Sequence, residues 1–135
     1  MLGEMIGEDQ GKVTGIRVLP AEGQSPQVEV SFQTSGRILG VDYTEIGTYR
    51  SALTAAGFMR GNGQGILTTK DGELVTWIGE GIGKPKGKGL AASWRGSIYY
   101  QTTAQRLANL NGICAVFEHD VDEVGNAKSK VYEWK

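Results

Sequence analysis

The chain has one cysteine and one histidine, Cys114 and His119, the pair from which a thiol nucleophile and its base would be assembled. The segment ICAVFEH, residues 113–119, reads as a strand, and a separation of five then places the two side chains on opposite faces. A dyad within that strand is excluded. Cys114 reads as a small core residue. His119 shares a face with Ile113, Ala115 and Phe117 and reads as a hydrogen-bonded strand-end histidine, with proton transfer as its second role.

Other site chemistries lack their residues. A single histidine and a single cysteine are too few for a structural zinc site. DVDEVGN, residues 120–126, starts like a calcium loop but has Val124 at a ligand position and no flanking helices, so it reads as a turn. Gly83-Lys84 is followed by Pro85 and Gly87-Lys88 by Gly89, which excludes a phosphate-binding P-loop. GKGLAA, residues 87–92, fits a loose dinucleotide pattern but runs into SWRGSIYY, a strand where that fingerprint needs a helix. KPKGK reads as a solvated basic turn, and no serine stands in a G-x-S-x-G elbow. No metal and no cofactor are expected.

The remaining chemistry-bearing residues lie among alternating glycines, GNGQG at 61–65 and GEGIG at 79–83. Alternation at every second position bares one face of a strand, which leaves room for large groups or lets the strand coil as barrel closure requires. The register of the surrounding hairpins decides which side chains share that bare face. With Asp71-Gly72 as a two-residue turn, Gly65 faces Ile78 and Gly63 faces Glu80. A second turn centred on Lys86 sets Glu80 against Ala92, Ile78 against Trp94 and Trp77 against Arg95.

This register predicts a pocket into which Ile78, Glu80, Trp94, Ile98 and Tyr100 point, kept open by Gly61, Gly63 and Gly65. Glu80, whose pKa burial would raise unless an Arg or Lys pairs with it, is the leading group for binding a polar ligand atom or moving a proton, and His119 is the second. Trp94, Tyr100 and Phe117 would form an aromatic wall; Trp77 would stack on Arg95 outside.

The elements that must position these groups are short runs of Val, Ile, Thr, Tyr and Trp bounded by turn residues, an all-β pattern. Strands are expected at 2–8, 12–19, 27–34, 36–41, 43–50, 58–69, 73–83, 90–102, 113–121 and 127–134, some merging or bending. One short helix is expected near 103–111, with Thr103 as cap, Leu107 and Leu110 on one face and Gly112 as its stop. Eight or more strands joined by short turns favour a closed or nearly closed antiparallel barrel over a sandwich, because closure removes the sheet edges.

At 135 residues without a proline- or serine-rich linker, residues 1–135 read as a single domain. Twenty-one glycines are about twice the usual share of ~7%. The net charge of −1, spread along the chain, offers no field for a polyanion, so nucleic acid is an unexpected partner. The N-terminal MLGEMIGEDQGK lacks a signal-peptide pattern, and no stretch of ~18 consecutive apolar residues suits a membrane. A soluble, cytoplasmic protein is expected. Several strands are apolar on both faces, with Leu74 and Ile78 alternating with Val75 and Trp77, which predicts a homo-oligomer.

Through DGELVTWIGEGIG, SWRGSIYYQTTAQRLANLNGICAVFEHDVDEVGN and the closing YEWK, the chain resembles a family of small uncharacterised bacterial proteins with an allene oxide cyclase-like, calycin-like β-barrel. The resemblance runs from about Gly3 to Trp134 and is most specific at residues 94–97, 110–112 and 116–118. It implies a closed barrel with an internal cavity in an oligomer, and no assigned reaction. The first functional expectation is therefore a barrel that binds a small apolar or amphipathic molecule. An isomerase or cyclase using the same cavity is the second, and a structural module with a filled core the third. An open apolar pocket favours binding; an inward carboxylate with a shifted pKa beside an aromatic wall favours proton chemistry.

Overall fold

The ten expected strand segments become eight strands. The computed structural model describes residues 1–135, with β1 at Leu2–Glu22, β2 at Ser25–Ile38, β3 at Val41–Leu53, β4 at Met59–Thr69, β5 at Leu74–Pro85, β6 at Ala92–Thr102, β7 at Cys114–Val121 and β8 at Asn126–Trp134. Each strand pairs antiparallel with the next, and β1 pairs with β8 to close the barrel. The segments expected at 2–8 and 12–19 are one long β1, whose ladder to β2 is shifted between Val13 and Gly15. Such irregularities bend a strand enough for one chain to serve both neighbours around a closed sheet. No helix is long and apolar enough to cross a membrane.

The expected short helix is a 3₁₀ turn, Gln105–Leu110. Leu107 and Leu110, three apart, are fully buried and join the barrel core, so their shared face was read correctly. The cap differs: the Thr102 hydroxyl, rather than that of Thr103, accepts from the N–H of Ala104 at 3.0 Å. Gly112, at φ +78°, ends the segment in the left-handed conformation glycine tolerates best.

Both hairpin registers differ from expectation. Thr69 and Glu73 close a three-residue loop, and Gly72 takes φ +79° as its last member instead of serving in a two-residue turn. Gly65 consequently faces Trp77 and Gly63 faces Gly79. A slip of one residue reverses the faces of a strand. The following loop spans residues 86–91, which pairs Gly83 with Trp94 and Trp77 with Tyr100. Trp77 therefore points inward at 9% exposure, Ile78 points outward at 64%, and Glu80 is exposed. Arg95 lies opposite Ile82 and bonds Asp120 at 3.1 Å, so the Trp77–Arg95 stack does not form.

Candidate functional site

Four inward aromatic side chains of the barrel face glycines across the sheet. Phe32 opposes Gly47, Tyr49 opposes Gly63, Trp77 opposes Gly65 and Trp94 opposes Gly83. A Cβ at Gly65 would fall within the indole of Trp77, and one at Gly61 or Gly83 would come to 2.6 or 2.7 Å from Trp94. The alternating glycines are thus the bare strands on which two indoles lie. Trp94 extends over Gly83 and Gly61 to meet Tyr49 edge-on, ring centroids 5.3 Å apart. Trp77 crosses Gly65 toward β3.

Beneath Trp77 lie two carboxyls, Glu45 buried and Asp9 half-buried. Glu45 Oε2 accepts the Trp77 indole N–H at 2.6 Å, and Oε1 accepts the Thr34 hydroxyl at 2.7 Å. Asp9 Oδ2 accepts the Tyr43 hydroxyl at 2.6 Å. Asp9 Oδ1 is buried without a direct hydrogen-bond partner, and the Glu45, Ser129 and Thr34 side chains approach the same carboxyl. Burial, and then the charge of Asp9, push Glu45 up to about 8, although the Thr34 and Trp77 hydrogen bonds oppose the rise. Burial also raises Asp9, and its hydrogen bond from Tyr43 pulls the other way. At neutral pH Glu45 therefore keeps its proton, and the two acids titrate as a pair.

Both acids open on an interior cavity of about 80 Å³. Phe32, Tyr49, Trp77, Trp94 and Tyr100 supply much of its wall, and Gly61, Gly63, Gly79 and Gly81 leave part of that wall as bare backbone. His119 also lines the cavity at 7% exposure, its ring 5.2 Å from Phe32 and its Nδ1 2.7 Å from Ser129 Oγ. Its Nε2 is buried without a partner, and burial lowers its pKa to about 4, so the ring is neutral at pH 7.

Of the six side chains expected in the pocket, Trp94, Ile98, Tyr100 and His119 line the cavity and are buried. Ile78 and Glu80 do not point into it: β5 is reversed relative to the expected register, and the inward places belong to Trp77, Gly79 and Gly81. Gly61 and Gly63 border the space as expected, whereas Gly65 is covered by Trp77. Cys114 is half-buried, one residue before the inward Ala115, and so lies on the outer face rather than in the core. Asp122 spends its carboxylate on the N–H groups of Val124 and Asn126 and on the Asn126 amide, as the turn reading of DVDEVGN requires. The acid pair was missed. Its one signal is Tyr43, Glu45, Gly47 and Tyr49 at alternate positions, which put a glutamate on an otherwise aromatic face.

The fold is shared with solved structures of low sequence identity. A protein of unknown function from Clostridium acetobutylicum and a β-barrel-like protein from Acinetobacter baumannii each superimpose at TM-score 0.81 with 12% identity; the coverage is 98% of both chains for the first, and all of this chain and 96% of the other for the second. An enzyme from Penicillium herquei superimposes at TM-score 0.69 with 13% identity, over 96% of this chain and 92% of its own. No protein-family model and no curated protein matches the chain.

Proposed function

We propose that the barrel binds a small, largely apolar molecule in its interior and moves a proton on it, as an isomerase or cyclase does. The observation that carries this reading is the Asp9–Glu45 pair lining an aromatic cavity, where burial keeps a proton on Glu45. An acid that is protonated at neutral pH beside an ionised one can give a proton at one ligand atom while its partner accepts one at another. For a ketone, Glu45 protonates the carbonyl oxygen as Asp9 takes a proton from the adjacent carbon; the C–H pair becomes the new C=C bond. One proton remains on the pair. Placement in an allene oxide cyclase-like family belongs to this same reading, supported by the barrel and its cavity.

A purely non-catalytic binding barrel would use the cavity without needing the proton on Glu45. Proton exchange at the α-carbon of a small ketone such as acetone, followed by NMR in D2O, separates the two. The expected result is exchange faster than in buffer and slowed by about 10²-fold or more in Glu45→Gln. Equal rates in the two proteins would leave only the binding role.

A further inference from the structure

The cavity holds acids and no base that could neutralise them. The ionisable groups facing it are Asp9 from β1, Tyr43, Glu45 and Tyr49 from β3, Tyr100 from β6 and His119 from β7, with exposed Glu80 at its edge; no lysine or arginine borders it. Buried carboxyls are ordinarily paired with a cation or hold a proton instead. Here a proton on Glu45 does that work, since neither carboxyl meets a lysine or an arginine. A second buried polar atom faces the same space: His119 Nε2, which nothing in the chain meets.

We propose that the molecule this cavity takes is a small organic cation, a protonated amine on a compact apolar body, and that carboxylates and phosphates are rejected. The proposal rests on the interior-binding half of the reading above, not on its proton transfer, and adds the charge of the ligand. An ammonium group replaces the proton on Glu45: its N–H donors satisfy Asp9 and Glu45, and its charge offsets theirs. The faces of Trp77, Tyr49 and Phe32 attract the same charge. Aromatic rings in place of further oxygen donors suit an organic cation rather than a metal ion, and no group of three or more His, Cys, Asp or Glu is positioned to hold a metal. A volume of about 80 Å³ restricts the ligand to a few non-hydrogen atoms, less than the ~150 Å³ of a cavity that admits benzene.

Three probes of one shape and different charge test this: isobutylamine, isobutanol and isobutyrate, titrated into the whole protein while the Trp77 indole N–H is followed by NMR. Because that N–H donates to Glu45, it reports the acid pair itself. The amine is expected to bind roughly tenfold or more tighter than the alcohol, and the carboxylate weakest. On the unaltered protein, amine affinity rises between pH 6 and 9 as the pair loses its proton near 8, while the amine keeps its own until about 10. Asp9→Asn, which keeps an acceptor for Tyr43, is expected to erase the preference for the amine. If the alcohol binds and the amine binds no tighter, the charge assignment is wrong and the pocket stands. If none of the three moves the Trp77 signal at pH 6 or pH 9, the interior-binding reading falls with it.

Discussion

Trp77 reaches over Gly65 to donate its indole N–H to Glu45 at 2.6 Å, so a side chain from β5 crosses β4 to bind an acid on β3. Glycine at 65 is the condition for that crossing, and the hydrogen bond partly offsets the cost of burying the carboxyl. Trp77→Phe keeps the ring and removes the donor. It is expected to destabilise the barrel by roughly 1–3 kcal/mol and to raise the pKa of Glu45 further. Urea unfolding and a carboxyl titration read the two effects separately.

Gly65→Ala tests the crossing from the other side. The added Cβ overlaps the indole, so Trp77 must leave its place, at a cost of roughly 1–3 kcal/mol for overpacking. Near-ultraviolet circular dichroism should change with it. Gly15→Ala is the control: nothing lies within 4 Å of its Cβ position, and a change within about 0.5 kcal/mol is expected.

Stability should depend on pH in two opposed steps. Glu45 is raised from 4.5 to about 8, so the folded state holds a proton that the unfolded state releases, and stability falls as pH rises between those values. His119 is lowered from 6.5 to about 4; the unfolded state binds the extra proton there, and stability rises with pH over that range. The two oppose each other between pH 4.5 and 6.5, leaving a net fall from 6.5 to 8. Thermal midpoints across that upper window should drop for the unaltered protein and stay nearly level for Glu45→Gln.

The legible part of the fold was whatever period two determines on its own. Alternation within a strand fixed that Cys114 and His119 oppose each other, and that Trp94, Ile98 and Tyr100 share a face. Whether a face turns inward depends on loop geometry, and there Asp71-Gly72 misled: Gly72 serves a three-residue loop as readily as a two-residue one. That slip reversed β5. The 86–91 loop was also misplaced by an odd number of positions, which restored the parity of β6. Trp94 and Tyr100 were therefore placed inside while Ile78 and Glu80 were placed inside wrongly. Asp9 sat between two expected strands that are in fact one. It reaches Tyr43 and Glu45 across β2, where Gly36 lies opposite both Asp9 and Tyr43, so the pairing depends on the registers of two successive hairpins.

The outer surface bears on assembly. Ile46 is 61% exposed opposite Ile66 at 47%, and Ile78 at 64% lies opposite Tyr99 at 44%. The outward residues between them, Thr48, Gln64, Thr76 and Gln101, carry no charge. A face without charge can meet a second copy of itself across a two-fold axis without repulsion, and we propose that a homo-oligomer forms there. Sedimentation should show an assembly at micromolar concentration and a monomer for Ile66→Glu. A monomeric unaltered protein would remove the proposal.

The central claim, an interior acid that keeps its proton at neutral pH, is tested most directly by carbon-detected NMR of the Glu45 side-chain carboxyl from pH 4 to 10. The expected midpoint is about 8, with the Trp77 indole N–H shifting over the same range. A midpoint near 4.5, the ordinary value for a glutamate, with the Trp77 signal unmoved above pH 6, would contradict it.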